Sequence, residues 1–194
     1  MLGIYLLIVT LSLVSGCRPS YPTHPQNRFC RSDRAIVGKV LSLIKIPGKQ
    51  PDPAENTVQY RYTVKVQAVL KGYPPEIVGQ NRYIYTTGNS GLCRLSLQLM
   101  KTYVLGGSIR GNDMSVITLN LFEDVSKLTW QQNMYFYSTT GPNSYRSNCG
   151  CKVTTENTVS SCGIPRGSPK HDCYVNTGIC SNQSGQCTWF NDTC

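Results

Sequence analysis

Histidine and acidic side chains are scarce in this chain, with two His and ten Asp or Glu against nineteen Lys or Arg over 194 residues. An enzyme needs several titratable groups converging on one site, so this scarcity makes catalysis the weakest reading. His24 lies in a Pro-flanked turn and His171 in a cysteine-rich tail, where each reads as a hydrogen-bonding structural residue. His171-Asp172-Cys173 is contiguous and cannot form a spatial triad. Long apolar runs are missing as well. Residues 2–14 are too short to span a bilayer, and no later segment is apolar enough. Neither an internal repeat nor a nucleic-acid-binding motif is present, which leaves nucleic acid and membrane out of the expected partners.

What is present begins at the N-terminus. The apolar run of residues 2–14, followed by small residues Ser15 and Gly16, has the form of a cleaved export signal over residues 1–16. Cleavage would leave Cys17 as the first residue, with a free α-amine beside its carbonyl and both able to chelate one metal ion. Val14-Ser15-Gly16-Cys17 also fits a lipoprotein signal, in which the cysteine is acylated. The absence of Lys or Arg from Met1-Leu2-Gly3 and the density of cysteines speak against that alternative.

About 178 residues would remain, enough for one domain with a core and a smaller appendage. All ten cysteines lie in this part: 17, 30, 93, 149, 151, 162, 173, 180, 187 and 194. An even count behind an export signal implies a disulfide framework, in preference to a zinc site at Cys149-Gly150-Cys151. The formal charge of +9 would persist after cleavage and suit sulfated glycosaminoglycans, anionic cell surfaces or acidic partners. Solubility alone is the competing explanation.

Val58, Tyr60, Tyr62, Val64, Val66 and Ala68 alternate with Gln59, Arg61, Thr63, Lys65 and Gln67, the period of a half-buried strand. Residues 35–46, 82–87, 102–109 and 114–122 also read as strands, separated by Gly-, Pro- and Asn-rich turns. Five strands within about ninety residues suggest a small antiparallel barrel or sandwich. Residues 126–137 read as a short helix capped by Ser126. After Cys151 the composition changes to six cysteines in 44 residues with few large apolar side chains, a segment that needs disulfide staples. Asn182-Gln183-Ser184 and Asn191-Asp192-Thr193 are glycosylation sequons at Asn182 and Asn191. Trp130, Trp189 and the twelve tyrosines fit packing better than a sugar-binding platform.

His24-Pro25-Gln26-Asn27-Arg28-Phe29-Cys30, shortly after Cys17, resembles the opening of the tissue inhibitors of metalloproteinases. Tyr85-Thr86-Thr87-Gly88-Asn89-Ser90-Gly91-Leu92-Cys93, followed by Leu95-Ser96-Leu97, resembles that family's loop around the cysteine that pairs with the first residue. Val116-Ile117-Thr118-Leu119, Cys149-Gly150-Cys151-Lys152 and Gly185-Gln186-Cys187-Thr188-Trp189-Phe190 follow in the family order. The resemblance implies a mainly β fold: a five-stranded closed OB-type (netrin-like) barrel with flanking short helices, over residues 17–150. A small disulfide-rich C-terminal domain would occupy residues 151–194.

The resemblance further implies a secreted, extracellular inhibitor of zinc metalloendopeptidases of the matrix metalloproteinase type, not an enzyme and with no cofactor of its own. Cys17 would ligate the target's catalytic zinc through its amine and carbonyl. Arg18 would enter the specificity pocket, Pro19 and Ser20 would extend along the cleft, and Asn89, Ser90, Gly91, Leu92 and Cys93 would form a second contact. Residues 45–56 match a hairpin loop that is often a third. The implied disulfides are Cys17–Cys93 and Cys30–Cys149. For Cys151, Cys162, Cys173, Cys180, Cys187 and Cys194 fifteen pairings remain open. The chain departs from the family in lacking a third-position cysteine and its partner (Asn120 stands there), and in carrying Arg18 where a small hydroxyl residue is usual. A non-inhibitory netrin-module protein that binds matrix or glycosaminoglycans is the alternative function.

Overall fold

His24 and Pro25 open the first element: the His24 ring accepts from the Gln26 backbone N–H, and Pro25 supplies a preset φ at the first helical position. The resulting helix, α1 (Pro25–Arg31), replaces the turn expected there. It belongs to a computed structural model that describes residues 17, 21, 23–51, 55–190 and 194. The expected export signal, residues 1–16, lies outside the described residues.

The alternating strand reads as anticipated. Strand β1 (Arg34–Ile46) pairs antiparallel with β2 (Gln59–Lys71), and β2 pairs with β3 (Asn81–Thr87). Strand β4 (Thr102–Arg110) pairs with the first half of β1, so the sheet closes into a ring. Three register shifts along β1 let one long strand bend from β4 to β2. At Gly38 a Cβ would lie 2.2 Å from Val64 Cγ1, so the closely packed bend leaves no space for a side chain there.

The expected strand over 114–122 is two strands, β5 (Asp113–Ser115) and β6 (Leu121–Asp124), so the sheet has six strands in the order β1-β2-β3-β5-β4-β6. Asn120 causes the break: its Oδ1 accepts from Ile117 N at 2.9 Å while its own N–H bonds Ile117 O at 2.9 Å. That local turn competes with the ladder. The expected helix at 126–137 is also shorter. Asp124 accepts from the Ser126 backbone N–H and hydroxyl, closing a separate 3-10 turn at Val125–Lys127. Helix α2 (Trp130–Tyr137) then starts from a capping box of Thr129 and Gln132, so Thr129 and not Ser126 is the cap.

Alternation along β1 builds two cores. Ile36 and Val40 face inward with Val64, Ile84, Leu105 and Met114, while Ala35 and Val37 face outward beneath α1 and α2 with Phe29, Val104 and Tyr145. The cysteine-rich segment adds Ile179 to this outer core. Its own elements are short: β7 (Lys152–Thr154), β8 (Ser161–Gly163), α3 (His171–Thr177), β9 (Cys180–Gln183) and β10 (Gln186–Trp189). They enclose a third cluster in which Cys151, Cys162, Cys180 and Cys187 join only Val153 and Ile164 as buried members.

Candidate functional site

The site grows from the end of β3. Gly88 donates to Val58 O at 2.7 Å, and a Cβ on it would lie 2.6 Å from Val58 Cγ1, so only glycine lets the chain turn this close to β2. Asn89 then caps a 3-10 turn, Ser90–Leu92, its Oδ1 accepting from Gly91 N at 2.7 Å. Its Nδ2 donates to Asn56 Oδ1 at 2.7 Å, tying the turn to the end of the 45–56 loop. Cys93 follows in the left-handed region, at φ 67° and ψ 43°. A side chain is strained there by about 1–2 kcal/mol. The conformation is held from both sides: Cys93 N–H bonds Ser90 O, and Cys93 O accepts from Thr118 N at 3.0 Å.

Cys93 is bonded to Cys17, with the two Cα atoms 5.3 Å apart. The half-buried Cys17 has its Sγ 3.6 Å from Gly91 O. Residues 17 and 89–93 therefore lie side by side. Ser90, Gly91 and Leu92 are exposed, with Leu92 49% accessible, so the turn projects outward while its base is pinned. Arg18, Pro19 and Ser20 lie outside the described residues, as do 52–54 of the hairpin loop and Asn191. The described remainder of the loop is anchored by Lys49 N donating to Thr57 Oγ1 at 2.8 Å and by a Lys45–Glu55 ion pair.

Three supports of the ridge were not visible as such in the sequence. Thr118 lay in a quoted motif with no role attached, yet it holds the Cys93 carbonyl. Arg94 lies 5.3 Å from the Tyr60 ring centroid and donates to Gly88 O, bracing the turn from behind. Asn56 ends a loop identified only as a whole.

Behind the ridge the N-terminal segment docks on the cysteine-rich one. Cys30 is bonded to Cys149, and the pairs Cys151–Cys187, Cys162–Cys180 and Cys173–Cys194 complete five disulfides, leaving no free cysteine. The sulfurs of Cys151, Cys180 and Cys187 cluster within 4.8 Å because two bridges pack together. As disulfides they offer no thiolate to a metal. Gln26, fully buried, donates from Nε2 to the carbonyls of Asn148, Cys151 and Cys180, and its Oε1 accepts from Cys180 N at 2.9 Å. His24, also fully buried, bonds Tyr174 O at 3.1 Å. Burial lowers its pKa to about 4, aided by the nearby Arg28 and His171 charges and opposed by its bonds to backbone. Asn182, at the exposed end of β9, bonds Gly185 N through Oδ1 across the β9–β10 turn.

Fold and site together define a mainly β, five-disulfide scaffold with short helices that presents two bridged segments as one ridge. The chain belongs to the tissue inhibitor of metalloproteinase family, whose model matches residues 15–190. It is 32% identical over 140 residues to mouse metalloproteinase inhibitor 4, an alignment covering 69% of this chain and 58% of that protein. With chicken metalloproteinase inhibitor 3 it is 31% identical over 143 residues, covering 73% of this chain and 61% of the relative. Dog metalloproteinase inhibitor 2 aligns over 188 residues at 25% identity, covering 96% of this chain and 74% of the relative. The chain thus spans about three fifths of the length of the first two relatives. Among the described residues no helix is long and apolar enough to cross a membrane.

Proposed function

We propose that this chain is a secreted inhibitor of zinc metalloendopeptidases that works through its own N-terminus, with export-signal cleavage between Gly16 and Cys17. The Cys17 amine and carbonyl then ligate the target's zinc in place of the water that would attack the peptide bond, so the metal can no longer generate a nucleophile. The observation that carries this reading is the Cys17–Cys93 bond, which holds Cys17 against the 89–93 turn. A ridge ordered before binding loses little entropy on association. Residues 18–20 and 89–93 line the target's cleft, with Arg18 directed at its specificity pocket. The ring is an OB-type netrin-like barrel within a domain of residues 17–150. Residues 151–194 form the second domain, glycosylated at Asn182 and Asn191.

Arg18 makes the reading testable. Burying an unpaired guanidinium costs several kcal/mol, so a target with an apolar pocket is inhibited poorly by the native chain and better by Arg18→Thr. A target with an acid at the pocket's end shows the reverse. N-terminal sequencing of the secreted protein should begin at Cys17. A panel of zinc endopeptidases assayed with both proteins should then separate these two classes. A retained upstream residue, an acyl group on Cys17, or no response from any protease with either protein contradicts the proposal.

A second reading, binding to sulfated matrix polysaccharide, is favoured by the formal charge of +9. The two activities are compatible, because one uses the ridge and the other a charged face.

A further inference from the structure

Tyr21 stands between Cys17 and the buried His24, in a stretch with no further cysteine until Cys30. Cys17–Cys93 is therefore the single disulfide that fixes the chain ahead of α1. A tyrosine in such a segment could remain in solvent, yet this one is half-buried, and three groups of the cysteine-rich segment converge on it. Its hydroxyl donates to Pro165 O at 2.9 Å. Its ring is stacked with that of His171, the centroids 5.2 Å apart and the planes inclined by 21°. The Arg166 guanidinium carbon lies 5.9 Å from the Tyr21 ring centroid, within reach of a cation–π attraction.

The receiving surface is organised by its own bonds. Ser168 N donates to Pro165 O and His171 N to Ser168 O, both at 3.1 Å, which winds residues 165–171 tightly enough to gather Pro165 O, Arg166 and His171 around one ring. Asp172 holds the His171 ring through Nδ1 at 2.9 Å, whereas Nε2 is buried with no hydrogen-bond partner among the described residues. What the His171 ring offers Tyr21 is thus its face. Helix α3, which begins at His171, is in turn tied to α2. Thr129 Oγ1 donates to Asn176 O at 2.7 Å, Gln132 Nε2 to Val175 O at 3.1 Å and the Tyr135 hydroxyl to Thr177 O at 2.9 Å. Cys93 on the ring and the His171 face therefore belong to one connected frame, and each holds a residue of the N-terminal segment.

We infer that Tyr21 is a positioning residue for the inhibitory N-terminus. The Pro165–Arg166–His171 surface clamps it, so that residues 18–20 are presented to the target between two fixed ends. This deepens the inhibitor reading proposed above and rests on it, and it gives the cysteine-rich segment a part in presenting the N-terminus. A segment bonded at one end samples many directions at the other, and only the fraction in the binding geometry counts toward apparent affinity. Holding the second end raises that fraction without adding any contact to the target.

The test combines inhibition constants of the full secreted chain against a panel of zinc endopeptidases with backbone NMR order parameters at Arg18 and Ser20. Tyr21→Ala and His171→Ala should each weaken inhibition about fivefold to tenfold, the worth of one aromatic stack. The two combined should be no weaker than the worse single variant, since both remove the same contact. His171→Phe, which keeps a flat ring, should restore near-native inhibition. Order parameters should fall in both alanine variants and recover with phenylalanine, while denaturant midpoints stay close to native. Tyr21→Phe, which loses only the bond to Pro165, should cost about twofold and keeps the test valid if an alanine variant is unstable. A loss with Tyr21→Ala but none with His171→Ala would place Tyr21 directly on the target and overturn the clamp. Additive losses in the double variant, or order parameters unchanged in both alanine variants, would overturn it as well. Lowered order with unchanged inhibition would overturn the positioning role. Native protein that inhibits no zinc endopeptidase would overturn the inhibitor reading and the positioning role with it, and the order parameters would then report on the clamp alone.

Discussion

Around Ile36, Ile84 and Leu105 the sheet ring is held by apolar side chains and an antiparallel ladder, and between residues 34 and 124 its one cysteine, Cys93, bonds outward to Cys17. The segment after Cys149 is built the other way. Its cluster is mostly half-cystines, its strands are three or four residues long, and three disulfides cross it. The first region could fold around its core alone, whereas the second has too little apolar surface to do so. The contrast bears on function. A bridge from the ring to the Cys17 segment contributes more to positioning Cys17 than to maintaining the ring, whose inner core is formed without it.

Four perturbations bear on this contrast, in decreasing order of expected effect. Ile84→Ala removes a fully buried side chain from the ring interior and should cost about 2–5 kcal/mol in global unfolding, read from denaturant midpoints. Cys162→Ser/Cys180→Ser should cost about 3 kcal/mol, confined to residues 151–190. Hydrogen exchange should show β1–β4 amides still protected in this variant. Equal loss of protection in the ring would mean the two regions form one cooperative unit.

Acid should loosen the junction between the regions before it affects the ring. His24 has a folded pKa near 4 and an unfolded value of 6.5, so between these pH values the unfolded chain binds the additional proton. Stability is therefore lost as pH falls from 6.5 to 4, by up to about 3 kcal/mol. His24→Gln should flatten that slope in a pH series of thermal melts. On the ring, the Ser126 hydroxyl, with Lys101 and the Ser126 N–H, lowers the Asp124 pKa to about 2. Its contribution is present above pH 3.8 and declines only as pH falls toward 2. The smallest change is expected from Gln26→Ala, about 1–3 kcal/mol, because it strands buried partners on Asn148, Cys151 and Cys180. Proteolysis after Cys149 should accelerate in that variant while the ring stays resistant.

The sequence made the ring more legible than the junction, for a physical reason. Period-two alternation is local, so β2 could be read directly from residues 58–68. The break at Asn120 was hidden because a side chain competing with the ladder leaves the hydrophobic pattern intact. Helix α1 was missed because it is seven residues long and capped by a histidine, an uncommon cap. In the tail, spacing alone left fifteen pairings open, since disulfide partners are set by tertiary proximity. The ridge was traceable through Asn89–Cys93, but Thr118 and Asn56 contribute hydrogen bonds across the fold that no linear motif encodes.

The proposed mechanism depends on one nitrogen atom. Adding a single alanine before Cys17 turns its amine into an amide, a poor zinc ligand, while leaving every disulfide possible. Inhibition constants for a responsive zinc endopeptidase, measured with native protein and with this extended variant of equal thermal stability, test the account most directly. The account predicts a loss on the order of 100-fold or more, about 3 kcal/mol of binding free energy. An extended variant that inhibits as tightly as the native protein would contradict it.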